Sequence, residues 1–155
     1  MDSQFKSHIE SLNPAYRQLM AMVPCKVTDL PQRMPKKGIY LLSEDSSHLY
    51  VGRSKGLKER IRRHSRPSAT HRHAAFAFLL ARDATGQTEA SYKPEGSRSD
   101  LMLDPTFAAA FTEAKKRIRQ MDVRYVEETH SLRQALLEMY VAVVLDTPFN
   151  DFDTH

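Results

Sequence analysis

Two apolar runs on either side of a short polar turn constrain this chain more than anything else in it. The first is Gly38-Ile39-Tyr40-Leu41-Leu42-Ser43 and the second His48-Leu49-Tyr50-Val51-Gly52, with Glu44 to Ser47 between them. Such a pair predicts a β-hairpin. Ile39 and Leu41 then alternate with Tyr40 and Leu42 across the pleat. Tyr40 and Tyr50 fall near the same end of the hairpin or on neighbouring strands. Gly52 stands where a close backbone approach or a positive φ would be useful.

The remaining sequence predicts mostly helices. Phe5 to Met22 reads as a helix interrupted at Pro14, with Asn13 as N-cap. Pro24, Pro31 and Pro35 keep the following lead-in extended or turning. Leu57 to His64 and Thr70 to Ala84 read as helices, the latter stopped at Gly86. Gln87 to Asp100 is polar and reads as a long loop. Asp104-Pro105 opens a helix to about Gln120, whose apolar positions 107, 110, 111, 114 and 118 fit a 3.6-residue period. Asp122 to Glu128 reads as a strand. Ser131 with Gln134 has the pattern of a capping box. The helix after it is expected to bury Leu132, Ala135, Leu136, Met139 and Val143, with Glu138 about 60° outside the stripe at 100° per residue. Pro148 ends this region and Asn150 follows on a loop.

Helices around so few strands predict an α+β fold: a small central three-stranded sheet, antiparallel or mixed, flanked by helices. A chain of 155 residues is expected to be one domain, 1–155. Within it, 1–35 is an N-terminal helix and lead-in, and 67–119 is a helical and loop insertion.

Hydrophobic residues make up 41% and charged residues 27%, within the range of water-soluble domains. No apolar run approaches the ~20 residues of a membrane span, so no membrane partner is expected. Met1 to Glu10 lacks the apolar core of a secretory leader. The single Cys25 cannot form an internal disulfide and fits a reducing, cytoplasmic setting. The net charge of +4 says little by itself, but its distribution is uneven. Arg53, Lys55, Lys58, Arg60, Arg62, Arg63 and Arg66 crowd into fourteen residues against one acid, Glu59. A stripe of this kind is a solvated helix face or the footprint of a phosphate-backbone binder.

Several residues have the chemistry to cut a phosphodiester. Glu138 can hold a hard divalent cation, which binds through one or two carboxylates and keeps its remaining water. Arg60 can clamp a phosphate through two N–H donors. Tyr40 can serve as general base or orient the attacking water, although a phenol's ordinary pKa near 10 requires nearby cations to favour phenolate. Tyr50 can bridge to that water. His64, one helical turn after Arg60, can relay a proton or touch phosphate. Asn150 fits the fixing of local structure better than chemistry. Taken singly, each has a plain alternative: a strand tyrosine, a surface arginine, an exposed helix glutamate. The His71-Arg72-His73 run lacks the cysteines and spacing of a zinc site.

The order and spacing of these residues resemble the GIY-YIG nuclease superfamily, in its small standalone endonuclease form. The first motif is literal at Gly38-Ile39-Tyr40. The second is Tyr50-Val51-Gly52, with valine for isoleucine. Arg60 lies ten residues after the second tyrosine, His64 four further on, Glu138 on a later helix and Asn150 on the loop beyond it. Arg53 matches the basic residue just after the second motif. The likeness covers about 36–66 and 120–152. It implies an endonuclease that hydrolyses phosphodiester bonds in DNA, most naturally double-stranded, using one Mg²⁺ or Mn²⁺ and leaving 5′-phosphates. Tyr40, Tyr50, Arg60, His64, Glu138 and Asn150 would form its catalytic group, with Glu138 on the metal. Arg53, Lys55, Lys58, Arg62, Arg63 and Arg66 would contact DNA, and a homo-oligomer on DNA would account for double-strand cutting. A nucleic-acid-binding module with little or no catalysis is the alternative on the same scaffold.

Overall fold

A computed structural model describes residues 1–87 and 97–152. Its elements are α1 (Ser3–Glu10), α2 (Leu12–Ala21), β1 (Cys25–Lys26), β2 (Gly38–Glu44), β3 (Ser47–Ser54), α3 (Leu57–Arg63), α4 (Ala75–Thr85), α5 (Arg98–Leu103), α6 (Pro105–Arg119), β4 (Asp122–Glu127) and α7 (Ser131–Leu145). The class is α+β with a small antiparallel sheet. No helix among the described residues is long and apolar enough to cross a membrane.

The sheet has four strands in the order β1-β4-β2-β3, every neighbouring pair antiparallel. The expectation left antiparallel and mixed arrangements open around a three-stranded core; the sheet is antiparallel and has a fourth strand. The added strand is the two-residue β1, in which Cys25 and Lys26 pair with Val123 and Asp122. Two residues carry no periodicity, so only the partner strand reveals it. The β2–β3 turn is also tighter than expected, reduced to Asp45 and Ser46, both at positive φ. Positive φ at both central residues matches the right-handed strand twist and lets the strands pair to the turn.

The chain forms two compact units. One comprises Met1–Arg60 with Met121–His155, and the other Ile61–Gln120. In the first, Ile39, Leu41 and Val51 project from one sheet face and Val126 lies opposite Ile39 on β4. These four cluster with Leu12 and Leu19 of α2 and with Leu137, Val141 and Ala142 of α7. In the second, α4 and α6 enclose Phe76, Phe78, Phe107 and Phe111, all buried.

Some helix boundaries and faces differ from the sequence reading. The N-terminal helix breaks at Ser11 rather than Pro14, because a proline is tolerated in the first turn of α2, where its missing N–H has no helical acceptor to lose. The α4 helix starts at Ala75 rather than Thr70. Asp104 caps α6 as expected, accepting from the Thr106 N–H at 3.0 Å. Of the loop expected over 87–100, residues 98–100 open α5, while 88–96, including Lys93, lie outside the described residues. The cap of α7 is His130 instead of Ser131. Gln134, expected in a capping box, donates to the Glu128 carbonyl at 2.6 Å.

The face of α7 is the largest correction. Leu137 is 1% exposed, whereas Met139 is 51% and Val143 76% exposed. From Leu136 to Leu145 the helix is apolar nearly all round, apart from Glu138 and Tyr140. With no polar arc to set the phase, the 3.6-residue period does not choose between faces.

Candidate active site

The chemistry-bearing residues of the first unit converge through strand register. Tyr40 lies opposite Gly52, and Tyr50 opposite Leu42. The two rings are 6.4 Å apart at 48°. A side chain at position 52 would run into the Tyr40 ring and hydroxyl, so the absent Cβ admits the ring. Of the two reasons for a glycine here, close approach is the one realised.

Arg53 lies opposite Ile39, two residues on from Val51, and so shares their face of the sheet. That face meets α7, where Arg53 Nε donates to Glu138 Oε2 at 3.0 Å. Glu138 is much less exposed than an outward-facing glutamate, with 21% of its side chain accessible. It follows Leu137 and is one turn from Gln134 and Ala142, so it borders the buried face that α7 adopts.

Arg60 is placed by the start of α3. The Leu57 N–H donates to the Lys36 carbonyl at 2.9 Å. Lys58 Nζ donates to the carbonyls of Pro31 and Gln32 at 2.9 and 3.2 Å. With the helix start so fixed, the Arg60 side chain hydrogen-bonds both the Tyr40 and Tyr50 hydroxyls.

These contacts set the protonation states. Burial pushes the Tyr40 phenol far above its ordinary value, and Tyr50 adds to that rise. The charge and hydrogen bond of Arg60 oppose it without overcoming it, and Glu138 raises it further. Tyr50 is raised for the same leading reason, with Arg60 pulling down and Glu138 pushing up. Burial also raises Glu138, while the charge and hydrogen bond of Arg53 and the charge of Arg60 pull it down. Both tyrosines are therefore neutral near pH 7. Arg60 keeps their oxygens oriented as acceptors without making them phenolates.

Asn150 fastens the outer edge of the sheet. Its Oδ1 accepts from the Val51 N–H at 2.8 Å and its Nδ2 donates to the Val51 carbonyl at 2.8 Å. The Thr147 hydroxyl donates to the same Oδ1 at 2.8 Å. The Phe149 N–H donates to the Leu49 carbonyl at 3.2 Å. The Asn150 carboxamide thus acts as one rung of a missing neighbour strand, joining β3 next to Tyr50 to the segment after α7.

The structure thus brings together Tyr40, Tyr50, Arg60, Glu138 and, through Val51, Asn150. His64 falls in the second unit, one residue beyond α3, fully buried with its ring edge-on to Phe76 at 6.2 Å. Of the basic stripe, Lys55, Arg62, Arg63 and Arg66 are exposed, whereas Lys58 is committed to the lead-in. Arg53, read from sequence as a DNA contact, is also part of the Glu138 site. Its signal was the two-residue period from Val51, which assigns its face, but not the presence of α7 on that face.

Among the described residues no three of His, Cys, Asp and Glu gather at one place. The donor set at Glu138 is one carboxylate, paired with Arg53 and within electrostatic reach of Arg60 and the two tyrosines. That set fits a hard divalent cation whose shell is completed by water and phosphate, and does not fit a fully protein-ligated ion. Comparison of the chain with family models, curated proteins and solved structures returned no match.

Proposed function

We propose that this protein is a divalent-metal-dependent DNA endonuclease of the GIY-YIG type, hydrolysing phosphodiester bonds with one metal ion. The observation that carries the reading is the approach of Arg53, Arg60, Tyr40 and Tyr50, from β2, β3 and α3, to the half-buried Glu138 carboxylate of α7. The fold reading that accompanies it is a three-stranded core of β2, β3 and β4, with β1 as a short added edge.

In this proposal Glu138 holds Mg²⁺ or Mn²⁺, which supplies Lewis-acid stabilisation of the charge that builds on phosphate oxygens. Arg60 donates to the scissile phosphate, adding fixed positive charge where the transition state needs it. The neutral hydroxyls of Tyr40 and Tyr50 orient the attacking water through hydrogen bonds and remain phenols throughout. Asn150 keeps β3, and with it Tyr50, in register. Lys55 in the first unit, and Arg62, Arg63 and Arg66 in the second, each supply charge for DNA backbone.

The test is supercoiled-plasmid cleavage with Mg²⁺ or Mn²⁺, with chelator, and with Glu138→Ala. Metal-dependent nicking or linearisation that disappears in the variant, while DNA binding remains, is expected. Full activity of Glu138→Ala sinks the mechanism. The second reading is a nucleic-acid-binding module with little or no catalysis. It is favoured by the Arg53–Glu138 ion pair, which occupies the carboxylate. Tight DNA binding with no cutting of plasmid, branched or single-stranded substrates supports it.

A further inference from the structure

The second unit has a cationic cluster of its own, built around one phenylalanine. Phe78 is buried in α4. The Arg98 guanidinium lies 5.0 Å from its ring centroid and that of Arg82 6.0 Å. The His71 ring lies 6.3 Å away. His71 is held below its ordinary pKa, first by burial and then by the charges of Arg72 and Arg98, so the ring stays neutral beside the arginines. Arg72 and Arg98 are exposed. Neither makes an ion pair among the described residues. A guanidinium resting on an aromatic ring is restrained in place, while N–H donors along its edge remain available. Like charges held at one place cost free energy that an anion recovers. A polyanion recovers more than a single ion, because binding it also releases condensed counterions.

We propose that Arg72 and Arg98, with Arg98 braced on Phe78, form a second phosphate-binding patch, carried wholly by the 61–120 unit, that takes the backbone of a nucleic acid. For the identity of its ligand this proposal rests on the nuclease reading. The patch reads no base sequence, since phosphate contacts position a duplex without specifying it. Its contribution is affinity and orientation of the substrate.

The experiment is fluorescence anisotropy of a labelled duplex across a salt series in chelator, so that nothing is cut. The proteins compared are wild type, Arg72→Ala/Arg98→Ala, Arg72→Lys/Arg98→Lys, and the charge-matched control Lys6→Ala/Arg17→Ala. The alanine pair is expected to bind more weakly, with a slope of log affinity against log salt shallower by about 1 per arginine removed. The lysine pair is expected to keep most of the slope and the control all of it. A slope in the alanine pair equal to that of wild type overturns the patch. So does equal weakening in the alanine and lysine pairs together with an equal drop in Tm, which marks Arg98 as a structural brace. Inorganic phosphate, exchanged for chloride at constant ionic strength, separates the two anion sources. Phosphate binding to wild type with an unchanged duplex slope in the alanine pair overturns nucleic acid as the ligand. Arginine-dependent duplex binding by a wild type that cuts no substrate with Mg²⁺ or Mn²⁺ keeps the patch and removes the nuclease reading.

Discussion

The functional geometry depends on single atoms, and Gly52 shows this most directly. Tyr40 is fully buried and its ring occupies the space that any side chain at 52 would need. Gly52→Ala is expected to cost about 1–3 kcal/mol by overpacking, and to move the Tyr40 hydroxyl. Urea denaturation should show the loss, and cleavage should fall further than stability explains. Gly56→Ala meets nothing within 4 Å and serves as the matched control, changing stability by less than about 1 kcal/mol. Arg53 has a subtler consequence. In the proposed site it would compete with a metal ion for Glu138, yet it also keeps that carboxylate charged against the effect of burial. The raised folded pKa means that protonation of Glu138 begins at a higher pH than for an exposed glutamate, and metal affinity must fall from there downward. Arg53→Ala should therefore bind Mn²⁺ more tightly at alkaline pH but lose it at a higher pH on acidification. Calorimetric titration across pH reads both effects; unchanged affinity at every pH would show that the pair is irrelevant to the metal. Motif spacing singled out Tyr40, Tyr50, Arg60 and Glu138 as candidates. It did not expose how Tyr40 is protonated, because burial is a property of the whole fold.

At the scale of elements, sequence pattern served well where polar and apolar residues alternate and poorly where they do not. The β2–β3 hairpin and α6 were legible, since a polar turn and a clear 3.6-residue stripe mark them. β1 was too short to show any period. For α7 the sheet decides which side is buried: Ile39, Leu41 and Val51 accept Leu137 and Val141. Leu137→Ala should cost about 2–5 kcal/mol by leaving a core cavity. Leu132→Ala, at a position 48% exposed, should change stability by no more than about 0.5 kcal/mol. Similar losses in thermal or chemical melts of the two variants would reverse the face assignment, and with it the position of Glu138. The edge of β3 makes a separate claim. Asn150→Ala removes both hydrogen bonds to Val51 and should cost about 1–3 kcal/mol. Asn150→Asp retains an acceptor for the Val51 N–H and the Thr147 hydroxyl, but sets an oxygen against the Val51 carbonyl. It should therefore recover only part of the loss in the same denaturation assay.

At the scale of the whole molecule, the first unit is discontinuous in sequence: β2 and β4 pair directly although residues 61–120 intervene. Sequence spacing made the intervening stretch look like an insertion, but it gave no sign of what holds that stretch together. Part of the answer is Lys115, 7% exposed, whose Nζ donates to the carbonyls of Pro67 and Ala69 at 2.7 and 2.9 Å. It also lies 4.7 Å from the Phe111 ring centroid. A buried ammonium is costly unless its donors are used, and these bonds tie the turn after α3 to α6. Lys115→Met keeps the bulk of the side chain while stranding both carbonyls, at about 1–3 kcal/mol. If each unit opens cooperatively as its own body, hydrogen exchange in this variant should quicken across 61–120 and leave the amides of β2, β3 and β4 near their wild-type protection. Exchange that quickens equally in the sheet would mean that the two units open together, as one cooperative structure. Separate opening would also bear on folding. A folded 61–120 unit shortens the effective loop that must close before β4 reaches β2, and loop-closure entropy grows with the length of flexible chain. The same substitution should then slow formation of the sheet in refolding while leaving its equilibrium protection intact.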